Sequence, residues 1–151
     1  MFTYRKGVKG FTLVEIMIVV AIIALIAAIA IPNLLRARHN ANETSAIGNM
    51  RTLVDAIESF RANQTPPSYP ANLAALGTAN PRYVDGTLDD DPSVRQGYTF
   101  TYVLVSANQY TLTAIPVTAN VTGTRGFWAD ERGVILVDAA GAPTANSVPL
   151  E

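Results

Sequence analysis

The chain has 151 residues, enough for one domain with a modest core, and 49% of them are apolar. It holds no cysteine, which excludes disulfides and thiolate metal sites. The formal net charge is −1; without the three basic side chains of the first ten residues, eight basic face twelve acidic side chains, a net of −4, so general nucleic-acid binding has no electrostatic basis.

Residues 1–10 are polar and basic, with Arg5, Lys6 and Lys9. Then comes an apolar run, Leu13 to Ile31, that contains a single carboxylate, Glu15. About 19 residues make roughly 28 Å of helix, close to the hydrocarbon thickness of a bilayer. A charge deep in that layer costs roughly 2.5–3.5 kcal/mol on insertion scales, so Glu15 calls for a partner or a purpose. Three accounts fit an N-terminal segment of this kind. A secretory signal peptide would use Ala28-Ile29-Ala30 as its cleavage site, but the run is long for such a signal and carries a charge. A plain anchor would keep its basic end cytoplasmic, although Arg36 and Arg38 on the far side weaken the asymmetry. The third account has the cut ahead of the apolar run.

The residues favour the third. Gly10-Phe11-Thr12-Leu13-Val14-Glu15, behind a short basic leader and ahead of a long apolar helix, resembles the class III signal of bacterial type IV pilins and pseudopilins. The resemblance runs without a break from Lys9 to Pro32. It implies that a prepilin peptidase cuts after Gly10 and methylates the new N-terminus, Phe11. It also implies that Glu15 pairs with the N-terminal amine of a neighbouring copy. An α-amine with a pKa near 8 is mostly protonated at neutral pH. Amine and carboxylate would each be uncompensated alone in an apolar bundle, so their pairing sets register.

Pro32 removes one helical hydrogen bond and is expected to kink the helix. Past it the pattern turns amphipathic: Ala46, Ile47, Met50, Leu53, Val54, Ile57 and Phe60 recur at steps of three and four. One helix is expected from Phe11 to about Ala62, roughly 75 Å long. Its first half must be covered by lipid or by other copies. Asn63 to Ser68 breaks it. Tyr69–Gly77 suggests a short helix, with proline near its start and glycine after its end. Residues 78–97 read as irregular connector.

The period then changes to two. Tyr98, Phe100, Tyr102 and Leu104 alternate with Thr99, Thr101 and Val103, and Tyr110–Ile115 is the return strand. Gly126–Ala129 and Val134–Val137 form a second pair around a turn at 130–133. The aromatics, Trp128 included, are expected to line one buried sheet face. The fold class is therefore α+β: a long N-terminal helix whose second half packs on a four-stranded antiparallel sheet, similar to type IV pilins. The chain divides into a leader (1–10), an apolar half-helix (11–32), an amphipathic half-helix (33–62), a loop with a short helix (63–97), the sheet (98–138) and a loosely ordered tail (139–151).

Catalytic patterns are missing. His39 is the one histidine, in a basic polar stretch, and no nucleophile–base pair, phosphate loop or histidine-based metal cluster is legible. Asp85, Asp89, Asp90 and Asp91 could supply oxygen ligands to calcium, but their spacing matches no EF-hand loop. The Asp-Pro-Trp-Gly type of motif associated with calcium-binding pseudopilins is not reproduced by Asp91-Pro92-Ser93-Val94. An acidic surface turn, with no cofactor, is expected.

The resemblance implies a subunit that polymerises with its own copies. Its partners would be prepilin peptidase, membrane lipid before assembly, an inner-membrane assembly platform and an assembly ATPase. It would begin as a single-pass inner-membrane precursor with a cytoplasmic N-terminus and end in a surface pilus. The alternatives are a pseudopilin of type II secretion, in a periplasmic filament, and a secreted binding protein with an ordinary signal peptide.

Overall fold

Leu13–Ala62 forms one α-helix, α1, in the computed structural model, which describes residues 10–86 and 88–150. Arg5, Lys6 and Lys9 lie outside the described residues. The helix starts at Leu13 and not at Phe11, because Thr12 acts as its cap. The Thr12 hydroxyl oxygen accepts the Glu15 amide at 3.2 Å, and its carbonyl accepts the Ile16 amide at 3.2 Å. At the other end the Asn63 and Gln64 amides close tight turns onto Phe60 and Arg61, each at 3.1 Å. Glu15 in the first turn and Arg61 in the last complement the helix dipole. Pro32 lies within α1. Having no N–H, it leaves the Ala28 carbonyl without its usual helical donor.

The chain divides into two compact units, the first ending at Arg36 and the second beginning at Ala37. In the first, apolar side chains surround α1 on every side and remain exposed: Leu13, Ile18, Ile23, Leu25 and Ile29 all do.

The second unit has a core of its own. The α1 positions buried there are Glu43, Ala46, Met50, Leu53, Val54, Ala56 and Ile57, with Ile47 and Phe60 half-buried against the core. The apolar stripe of the sequence is thus the packed face, with Ala56 and one carboxylate, Glu43, added to it. Opposite lies an antiparallel sheet in which each strand pairs with the next: β1 (Ser93–Arg95), β2 (Tyr98–Ser106), β3 (Gln109–Pro116), β4 (Gly126–Asp130), β5 (Leu136–Asp138) and β6 (Val148–Pro149). Register sets Phe100 across from Ala114 and Tyr102 across from Leu112, while Phe127 faces Ala114 and Ala129 faces Leu112. These side chains and Tyr98 and Tyr110 make the inner face. Tyr69, Leu73, Leu76, Val84 and Leu88 close the core from the loop region.

The sheet has six strands, where the alternation suggests four. β1 falls in the stretch read as irregular connector; at three residues it is too short to show a period, and pairing with β2 defines it. β6 falls in the tail read as loosely ordered. That tail is tied down by pairing to β5, by the Leu150 amide donating to the Ile135 carbonyl at 2.9 Å, and by burial of Pro143. A Cβ on Gly126 would meet Pro143 and the Gly141 backbone, so the glycine lets the tail approach β4.

The short helix, α2, is Ala74–Thr78 and includes Gly77, which the sequence pattern puts after its end. Gly77 is needed for a different reason: a Cβ there would overlap the Asp89 carboxylate. Trp128 departs from the expected face. It sits next to Phe127 in β4, so it points to the other side, opposite Thr113 and Leu136, with Arg132 over its ring at 5.8 Å.

Candidate functional site

The first unit holds the segment with the most unusual chemistry. Gly10, Phe11 and Thr12 precede the helix and are exposed, Phe11 to 80%. No part of the most apolar 18-residue window of α1 is buried, and its mean hydropathy is 3.1. Length and composition suffice to cross a membrane. A helix that is apolar all round needs a surrounding of lipid or protein. Into this surface the sequence places one carboxylate, Glu15, three residues past the capping Thr12. Its amide is held by the Thr12 hydroxyl, and its side chain is exposed. Glu15 has no place in the Arg125–Glu43 or the Arg132–Asp130 ion pair.

Glu43 in the second unit is the opposite case, and pattern reading missed it. It lies on the packed face of α1 and is 5% exposed. One carboxylate oxygen accepts the amides of Thr124 (3.0 Å) and Arg125 (3.2 Å), and the other takes the Arg125 Nε at 2.7 Å. Burial by itself would raise the Glu43 pKa; the two amides and the guanidinium outweigh it and hold the carboxyl below its ordinary value of 4.5. Next to it the Asn42 side chain donates to the Thr122 carbonyl at 2.8 Å. Together they clasp the loop between β3 and β4 onto α1. The available signal was a carboxylate three residues ahead of Ala46, on an otherwise apolar stripe. Its partner lies 82 positions away and leaves no trace in local sequence.

Asp85, Asp90 and Asp91 are exposed and Asp89 half-buried; among the described residues no three His, Asp or Glu side chains converge as ligands. His39 is half-buried, just past Arg36 and Arg38, which are exposed.

The family model for the prokaryotic N-terminal methylation motif matches residues 5–31. The type IV wide pilus major component of Thermus thermophilus is 38% identical over 109 residues, 72% of this chain and 74% of that protein. The type IV major pilin of Myxococcus xanthus is 48% identical over 52 residues, 34% of this chain and 24% of its own. The type II secretion system core protein G of Pectobacterium carotovorum is 34% identical over 76 residues, 50% and 47% respectively. No solved structure gives a significant match. The chain belongs to the family of type IV pilins and pseudopilins.

Proposed function

We propose that the chain is a structural subunit of a type IV pilus that polymerises through the first half of α1. The observation that carries this reading is the wholly exposed apolar half-helix with one carboxylate near its start. The subunit waits in the inner membrane as a single-pass precursor, its N-terminus cytoplasmic and its apolar half in lipid. Prepilin peptidase cuts after Gly10 and methylates Phe11. A Cβ at Gly10 would meet nothing within 4 Å, so the fold has no need of a glycine there and the peptidase does. The exposed amine at Phe11 is then free to meet Glu15 of another copy. Lipid contacts are exchanged for apolar contacts between helices, which is nearly neutral in hydrophobic terms, and the amine–carboxylate pair fixes register. Pro32, at the end of the apolar stretch, is the point where the helix lacks one hydrogen bond and can kink. Identical units joined head to tail without closure make a helical filament. An inner-membrane platform and an assembly ATPase drive extrusion to the cell surface. The reading assigns no catalytic residue and no cofactor, calcium included.

A second reading is a type II secretion pseudopilin in a periplasmic filament, supported by the core protein G relatives. The pilus reading is preferred because the Thermus pilus component matches 72% of the chain, against 50% for the Pectobacterium protein.

Mass spectrometry of the mature N-terminus tests the shared part of both readings. A chain beginning at Phe11 with one added methyl group is expected. A chain beginning at Ile31 would mean an ordinary signal peptide and overturn both.

A further inference from the structure

A cleft of about 600 Å³ opens beside the last turn of α1, lined by Phe60, Asn63 and Gln64 from the helix end and by Thr78, Asn80 and Tyr83 from the end of α2 and the segment after it. Part of its lining is aromatic: Phe60 and Tyr83 meet edge to face, their ring centroids 5.6 Å apart at 66°. Both sides are fixed by backbone bonds. The turns at Asn63 and Gln64 hold one side, and the Tyr83 amide donates to the Leu76 carbonyl at 3.0 Å to hold the other. The site is therefore preorganised, and its volume falls within the range of ligand pockets.

The chemistry of the lining is specific. It includes no charged side chain. Among the described residues the carboxamides of Gln64 and Asn80 have no hydrogen-bond partner, and that of Asn63 is engaged through Nδ2 alone, to the Ser59 carbonyl at 2.8 Å. The Thr78 hydroxyl donates to the Ala74 carbonyl at 3.0 Å and keeps an acceptor lone pair. A carboxamide offers a donor and an acceptor side by side, the pattern that neighbouring hydroxyls on a sugar ring satisfy. The aromatic surface of Phe60 and Tyr83 suits the apolar C–H face of such a ring. An ion entering here would lose hydration without meeting a countercharge. We infer that this cleft binds a neutral saccharide. The inference stands apart from the filament reading, because it rests on the second unit alone.

The test uses the full-length chain in a detergent without a sugar headgroup, titrated with lactose, maltotriose and chitotriose and followed by saturation-transfer NMR. Saturable binding of at least one of them is expected. Gln64→Ala combined with Asn80→Ala should weaken it about tenfold or more, the loss of one to two hydrogen bonds. Gln109→Ala, an exposed carboxamide outside the cleft, should leave it unchanged. A thermal melt by circular dichroism confirms that the doubly substituted chain is folded. No saturable binding of the three sugars, binding undiminished by the double substitution, or tighter binding of trigalacturonic acid than of its neutral counterparts would overturn the inference.

Discussion

Two glutamates on the same helix show how differently the two units are built. Glu43 lies on a packed face and has its carboxylate filled by two amides and a guanidinium of its own chain. Glu15 lies in a more apolar setting and has no ion-pair partner among the described residues. The apolar residues around them follow suit. Met50, Leu53 and Ile57 are fully covered, whereas Leu25 and Ile29 are exposed to 67% and 65%. Apolar content is high in both places; its arrangement differs. A stripe with polar flanks is answered by a sheet within the chain, and an unbroken apolar surface is answered from outside. The second unit buries its apolar stripe within the chain, and the first leaves its apolar surface exposed.

That contrast can be broken by substitutions on either side. The largest effect is expected for Leu53→Ala, which empties a fully buried position against the sheet and should destabilise the second unit by about 2–5 kcal/mol. Chemical denaturation followed by tryptophan fluorescence reads it through Trp128, and membrane insertion should be unchanged. Loss of insertion as well would show that the units are not separable in this way.

Glu43→Gln should cost about 1–3 kcal/mol, since two amides and a guanidinium lose their ionised acceptor. The pH dependence has a definite sign. The folded pKa of Glu43 lies below its ordinary 4.5, so its contribution is full above pH 4.5 and fades as pH falls through the lowered value. Denaturation midpoints of parent and variant should therefore converge in acid and diverge toward neutrality. A gap that stays constant with pH would assign the effect to packing and not to charge.

The smallest effect is expected in the first unit. Leu25→Met keeps an exposed side chain apolar and should move the denaturation midpoint of the second unit by less than about 0.5 kcal/mol in equivalent stability. A larger shift would mean that the half-helix contributes to the core.

Legibility in the sequence followed physical range. Steps of three and four identified the packed stripe from Ala46 to Ile57, and alternation identified β2 and β3, because each element repeats long enough to show a period. β1 and β6 span three and two residues, and neighbouring strands define them. Trp128 departs from the inner face because adjacent strand residues point to opposite sides and Phe127 takes the inner one. The Glu43–Arg125 clasp joins positions that only the folded chain brings together. The apolar half-helix was legible almost in full, since its character lies in composition, and its one charge stands out against it.

The most direct test of the account is Glu15→Ala, with membrane fractionation and electron microscopy of filaments done on the same cells. Undiminished membrane insertion with filaments absent or much slower to form is predicted, because lipid does not need the carboxylate and a neighbouring copy does. Filaments in normal number on that variant would contradict it.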